Sequence, residues 1–301
     1  MMSLAHSHYF WRIDKMEVRR LCPAIGAEVI GIDVSQPVSD ELFAEIRQAW
    51  LDSNGLLVIR DQNLTEEQQI AFAGKFGRLH KLQGHTVTKY LHPDHPEIYR
   101  VSNKVIDGKP QGRKGAGTYW HSDNSYEVEP AQASVLYAKE IPPVGGDTIF
   151  ASTHKAFEGL SETFKEFLMP LKAVHSFANA AGGGFRNEVI TQEQLSNVPP
   201  TLHPIIRKHA ETGQLGVFVN PGFTSYIEGL SADESRAVLG YLFELVTKPD
   251  YQYRHRWSLH DVVIWDNRCT MHYAVMDYDG SGERLMHRCT VIGEKPLAAV
   301  A

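Results

Sequence analysis

Residues 251–292 read YQYRHRWSLH DVVIWDNRCT MHYAVMDYDG SGERLMHRCT VI. Three strand patterns lie in this stretch: Tyr251–Trp257, Asp261–Trp265 and Arg284–Ile292, each rich in β-branched or aromatic residues. Working back from them, Val217–Asn220, Ala133–Ala138 and Tyr119–Tyr126 carry the same signature. Leu56-Leu57-Val58-Ile59 reads as a short buried strand, and Cys22–Asp33 alternates loosely enough for a strand pair. Helical periods are fewer. Ser39–Leu51 places Leu42, Phe43, Ile46 and Trp50 on one face. Thr65-Glu66-Glu67-Gln68 and Ser231-Ala232-Asp233-Glu234 are capping boxes that open two further helices, and Ser152–Leu168 reads as largely helical. Strands with a few helices and no βαβ rhythm predict a mainly β fold, a sandwich or jelly roll with helices packed outside. No repeat or composition break divides the chain, so residues 1–301 are expected to form one domain.

Composition narrows the function. The formal net charge is −6. A mildly acidic chain has no global attraction for nucleic acid or an anionic membrane, so any anionic ligand needs a local basic site. No run approaches the ~18 apolar residues of a membrane span, and Met1–Arg20 lacks the apolar core of a signal peptide. Cys22, Cys269 and Cys289 form no C-x-x-C and read as buried thiols of a reducing, cytoplasmic compartment. Two polar, glycine-containing stretches, around 84–117 and 178–200, have the character of lid loops.

The chemistry is carried by Trp120-His121-Ser122-Asp123. On a strand, positions i and i+2 share a face, so His121 and Asp123 can bind one metal side by side. With 15 histidines in the chain, such a pair arises by chance and carries little alone. His272, just beyond the apolar strand 261–265, is a candidate third ligand. Two imidazoles and a carboxylate on one face leave three positions open and suit Fe(II). Arg284 and Arg288 share a strand face with Met286, and two inward guanidiniums each require an anion. Exposed arginines on an edge strand are the competing reading. A zinc hydrolase and a non-catalytic jelly-roll binding protein compete with the oxygenase reading, although no H-E-x-x-H is present.

These pieces together resemble the TauD/TfdA family, which includes taurine dioxygenase and 2,4-dichlorophenoxyacetate dioxygenase. The matching runs are Ile59-Arg60-Asp61-Gln62, Phe76-Gly77, Trp120-His121-Ser122-Asp123, Gly145-Gly146-Asp147-Thr148, Phe218-Val219-Asn220, Trp265-Asp266-Asn267-Arg268 and Met286-His287-Arg288. The resemblance implies a double-stranded β-helix (a cupin-like jelly roll) in which His121, Asp123 and His272 bind iron. It implies that Thr148 and Arg284 hold the distal carboxylate of 2-oxoglutarate, with O₂ as the oxidant and succinate and CO₂ as products. Arg288 matches a position that contacts the substrate sulfonate in the taurine enzyme. That enzyme's pocket Asn is replaced here by Gly117, and its pocket His by Leu82, where His85 is a substitute. Taurine itself is therefore not the expectation. A small anion is: a sulfonate, sulfate ester or aryloxyalkanoate. A neutral or amino-acid-like metabolite is the alternative, with Arg288 paired to a protein carboxylate. Tyr126 and Phe223 are candidates for the pocket wall, with aromatic core as the competing role. Relatives are commonly dimers or tetramers, which implies a homo-oligomer.

Overall fold

The structure, a computed structural model, describes residues 10–13, 16–81, 88–179 and 195–299. Its largest sheet has eight strands. In spatial order they are Phe10–Ile13, Met16–Arg20, Ala27–Ile30, Leu56–Ile59, Val262–Asp266, Ala131–Glu140, Leu285–Ile292 and Ile98–Ser102. Neighbours are antiparallel except for Ala27–Ile30 against Leu56–Ile59. A smaller sheet, Gln252–His255, Thr148–Ser152 and Thr270–Ala274, shares an apolar core with the large one. This is the jelly roll expected from the strand-rich pattern.

Strand parity explains how one sheet is buried on both faces. Leu56, Val58, Leu136, Ala138, Val263, Trp265 and Met286 point inward and meet Phe150 of the small sheet. Leu57, Ile59, Val135, Tyr137, Val262, Ile264 and Cys289 point outward and meet the helices. That two-sided burial is why Leu56–Ile59 is apolar at every position. Each such side chain contributes about 1.5–3 kcal/mol on full burial.

The helices on the outer face are Asp40–Asp52 and Glu66–Gly74. Ser39 caps the first, and the Thr65/Gln68 box caps the second by reciprocal bonds of 2.8 and 3.3 Å. Phe76 receives Phe43, Trp50 and Phe72 edge-on at 5.0, 5.3 and 5.7 Å, which fixes both helices to the sheet. Ala232–Val246, capped by Ser231 and Glu234, covers a second core. Among the described residues no helix is long and apolar enough to cross a membrane.

Several local expectations are corrected. Ser152–Leu168 is two helices, Thr153–Glu158 and Glu162–Leu168, because Ser161 starts a new cap just after Gly159. Cys22–Asp33 supplies one strand, Ala27–Ile30, whose partner is Met16–Arg20. Tyr119–Tyr126 is not a strand, since only His121 makes a β-bridge, to His272. Thr270–Ala274, which carries His272, is a strand that its sequence concealed, being short and without a β-branched run.

Candidate metal and co-substrate site

The site begins with backbone pairing. His121 N–H donates to the His272 carbonyl at 3.1 Å, and His272 N–H donates back at 2.8 Å. The chain then turns, with Asn124 at φ 54°, and Asp123 swings beneath the two rings. Strand parity was thus the wrong cause of the right juxtaposition: a single bridge followed by a turn brings His121 and Asp123 together. Asp123 Oδ1 lies 3.6 Å from His121 Nε2, and Oδ2 lies 3.9 Å from His272 Nε2. All three side chains are buried, and one ligand atom from each falls within a common 4.8 Å.

The chemistry of these donors fits a divalent ion. His121 Nδ1 is 2.8 Å from the Tyr119 carbonyl, so it carries the proton and leaves the Nε2 lone pair free. Burial, reinforced by the neighbouring His121, lowers the pKa of His272 well below its ordinary value and keeps it neutral. Burial would raise the carboxyl of Asp123. The Arg288 guanidinium outweighs that and holds it well below the usual carboxylate range. Ser134 Oγ donates to Asp123 Oδ2 at 2.7 Å, and Asn267 Oδ1 accepts from Asp123 N–H at 3.0 Å. The sequence reading gave these two residues no role.

A second feature lies on the small-sheet side. Trp257 Nε1 donates to Thr148 Oγ1 at 3.0 Å, and the Arg284 guanidinium lies 5.8 Å from both the Trp257 and Tyr278 rings. Trp257 thereby joins the two residues expected to act together. Arg284 is only 3% exposed, and its Nε donates to the Gly146 carbonyl at 3.2 Å. Among the described residues it has no carboxylate partner, and burial lowers its pKa from the ordinary arginine value. A Cβ on Gly146 would stand 3.2 Å from Arg284 Cδ and Nε, so the Gly-Gly turn makes room for this side chain. Ser102 Oγ and Asn103 Oδ1 hold the Arg284 carbonyl and N–H at 2.7 and 2.8 Å.

Arg288 NH1 donates to Asp123 Oδ1 at 2.7 Å, and its guanidinium lies 5.1 Å from the Tyr99 ring. Among the described residues its buried Nε has no hydrogen-bond partner. His287 faces the opposite side of the sheet, 3.6 Å from Glu66, as parity requires. Phe223 packs edge-on to His121 at 6.1 Å, to Tyr119 at 5.9 Å and to Tyr126 at 4.8 Å. Phe223 therefore reaches His121, whereas Tyr126 stands behind it with its hydroxyl 3.3 Å from Asn124. Leu82 and His85 lie outside the described residues. A Cβ on Gly117 would come within 3.0 Å of His121 Cε1, which places this glycine at the coordinating edge of that ring. His209, Asp266 and Cys269 also cluster, but both oxygens of Asp266 are taken by Arg268 at 2.9 and 2.7 Å, which makes this an ion-pair network.

The pattern of the whole chain matches a family model. Residues 17–290 match the taurine catabolism dioxygenase TauD, TfdA family. The chain belongs to the TauD/TfdA family. An alpha-ketoglutarate-dependent 2,4-dichlorophenoxyacetate dioxygenase of Burkholderia sp. (strain RASC) is 35% identical over 264 residues, covering 84% of this chain and 87% of that protein. An alkylsulfatase of Acinetobacter baylyi is 33% identical, covering 95% and 88%. The crystal structure of AAD-2 in complex with Mn(II) and N-oxalylglycine superimposes with a TM-score of 0.83 at 33% identity, covering 94% of this chain and 99% of that one. This TauD/TfdA protein is a dioxygenase that depends on Fe(II), 2-oxoglutarate and O₂.

Proposed function

We propose that the enzyme hydroxylates a small organic anion of the sulfonate, sulfate ester or aryloxyalkanoate class. The observation that carries this reading is the pair of guanidiniums beside the triad: Arg284, buried just before the strand Leu285–Ile292, and Arg288 on it, whose NH1 reaches Asp123. In this reading His121, Asp123 and His272 hold Fe(II), which supplies the oxidising chemistry when bound. Arg284 and Thr148 fix the far carboxylate of 2-oxoglutarate, the Thr148 hydroxyl being free to donate because its oxygen already accepts from Trp257. Arg288 turns its unpartnered Nε to the substrate anion, and Phe223 bounds the space beside His121. The protein's own contribution is positioning and exclusion of water. Overall, substrate C–H, O₂ and 2-oxoglutarate give substrate C–OH, succinate and CO₂. Where the hydroxylated carbon bears an ether or sulfate oxygen, the product fragments. The names of the dichlorophenoxyacetate and alkylsulfatase relatives support an anionic substrate.

The same reading treats residues 1–301 as one domain; of the two stretches expected to be lids, 84–117 contains the buried sheet strand Ile98–Ser102 and so is not a lid along its length, and residues 180–194 of the other lie outside the described residues. It places the enzyme in the cytoplasm, in keeping with three free cysteines, and as a homo-oligomer. The test is anaerobic loading with Fe(II) and 2-oxoglutarate, then a screen of sulfonates, sulfate esters and aryloxyalkanoates for substrate-coupled succinate release. Coupling to neutral or amino-acid-like compounds alone would overturn the anionic assignment.

A further inference from the structure

We infer that Asp277 is a positioning residue for 2-oxoglutarate: with Arg254 it clamps the Gly145-Gly146 turn, whose carbonyl aims the Arg284 guanidinium at the distal carboxylate. The inference rests on the assignment of Arg284 proposed above. A chain of bonds joins these groups. Asp277 Oδ1 accepts from Gly146 N–H at 2.8 Å, and the Gly146 carbonyl accepts from Arg284 Nε at 3.2 Å. Arg254 holds the other Asp277 oxygen at 3.5 Å and donates from Nε to Asp147 Oδ2 at 2.6 Å. The turn is packed closely on both sides. Gly145 and Gly146 stand at φ 81° and 77°. A Cβ on Gly145 would come within 2.5 Å of Asp277 Oδ1, and one on Gly146 would stand 3.2 Å from Arg284 Nε. Carboxylate, turn and guanidinium are therefore in direct succession.

The consequence is directional. A guanidinium can present either its Nε edge or its Nη1 and Nη2 edge to a carboxylate. The Gly146 carbonyl occupies Nε, which leaves Nη1 and Nη2 for the ligand. Ser102 and Asn103 fix only the Arg284 backbone, and the Trp257 and Tyr278 rings, each 5.8 Å away, impose no bond direction. Among the described residues the turn is thus the hydrogen-bonding restraint on this side chain. Arg254 has a second effect. Asp147 is the acidic side chain whose charge Arg284 feels, and Arg254 is bonded to it. With Arg254 engaging both Asp147 and Asp277, neither carboxylate draws Arg284 away from an incoming anion.

The test uses the full chain, loaded anaerobically with Fe(II). Calorimetric titration measures the affinity for 2-oxoglutarate and for 2-oxopentanoate, which has a methyl group in place of the C5 carboxylate. The ratio of the two affinities reports the distal anchor, because the two acids share the other carboxylate and the keto group. In Asp277→Ala the ratio is expected to fall at least about tenfold, with 2-oxopentanoate affinity within about threefold of wild type. Asp277→Asn keeps an acceptor for Gly146 N–H and is expected to hold the ratio within about threefold of wild type. Arg254→Met leaves Asp277 untethered and is expected to lower the ratio too; it serves if thermal unfolding shows that Asp277→Ala does not fold. A wild-type ratio in Asp277→Ala, or in Arg254→Met where that variant stands in, overturns the inference. So does equal weakening of both keto acids, the mark of a merely structural role. Arg284→Leu is the control. A wild-type ratio there overturns the anchor itself and the inference with it. A ratio lost in Arg284→Leu but kept in Asp277→Ala overturns only the clamp.

Discussion

Replacing Arg284 by Leu should weaken 2-oxoglutarate binding while leaving the apoprotein about as stable as before. The two halves follow from one fact. Arg284 is 3% exposed, has no carboxylate partner among the described residues and donates its Nε to the Gly146 carbonyl. A buried cation in that condition is costly, and burial lowers its pKa accordingly. Leu removes this cost together with the contacts to Trp257 and Tyr278, each worth roughly 0.5–2 kcal/mol. These terms oppose each other, so unfolding free energy should change by less than about 2 kcal/mol. With 2-oxoglutarate present, a fork-shaped guanidinium makes two charge-assisted bonds of roughly 1.5–3 kcal/mol each. Loss of about 3 kcal/mol is a factor of about 100 in affinity. Anaerobic titration with N-oxalylglycine, a non-reacting analogue, measures the affinity, and denaturant unfolding measures the stability. Unchanged affinity refutes the assignment of the anchor. Loss of several kcal/mol of stability with no loss of affinity shows that Arg284 serves the fold.

Three further outcomes are expected. Arg288→Gln should raise the substrate Michaelis constant at least about tenfold with 2-oxoglutarate binding intact, as measured by succinate release; equal constants refute the anion role. Gly117→Ala places a Cβ at φ 75° and 3.0 Å from His121 Cε1, so it should cost about 1–2 kcal/mol of stability and weaken Fe(II) binding. Gly117→Asn, which tolerates that backbone region, should cost less stability, and equal unfolding midpoints for wild type and Gly117→Ala defeat the argument. Burial pushes His175 down to about 3 and His154, His203 and His287 down to about 4. Each stays neutral when folded but takes a proton when unfolded below about pH 6.5, so stability is lost as pH falls from there towards about 4. The loss is up to about 1.4 kcal/mol per histidine per pH unit, and denaturant midpoints that do not fall between about pH 7.5 and about pH 5.5 exclude it.

How much of this was legible in the sequence depends on range. Local signals were read well: the Thr65 and Ser231 capping boxes stand where the helices begin, and Leu56–Ile59 is a strand buried on both faces. The approach of His121 to His272 was not legible from spacing, because it depends on a bridge between segments some 150 residues apart and on a strand without β-branched runs. Resemblance to the family supplied that pairing. Ser134 left a faint trace. It lies opposite Trp265 and shares the inward row of Leu136 and Ala138, where a hydroxyl is costly unless bonded. Asn267 stood inside a recognised motif, but its work is done by bond directions that only coordinates reveal.

The charge of the assembled site argues for the substrate class. Asp123 carries one negative charge and 2-oxoglutarate two, against the two positive charges of Fe(II). Burial keeps His272 neutral, and His121 donates its Nδ1–H in a hydrogen bond to the Tyr119 carbonyl, which would leave its Nε2 lone pair for the metal. The metal and its anions thus leave one net negative charge. Buried Arg284 and half-buried Arg288, assigned to this site, bring two positive charges. The sum before substrate is one net positive charge in a pocket walled by Phe223, Tyr119 and the inner sheet. Burying unbalanced charge is expensive in such surroundings. A monoanionic sulfonate, sulfate ester or carboxylate closes the balance, whereas a neutral substrate leaves it open. The reasoning makes Arg288 the residue on which anion selectivity turns. Arg288→Gln should therefore lower the ratio of anionic to neutral turnover for a matched pair, an acid and its amide, by at least about tenfold. An unchanged ratio would show that the extra positive charge is balanced elsewhere in the protein.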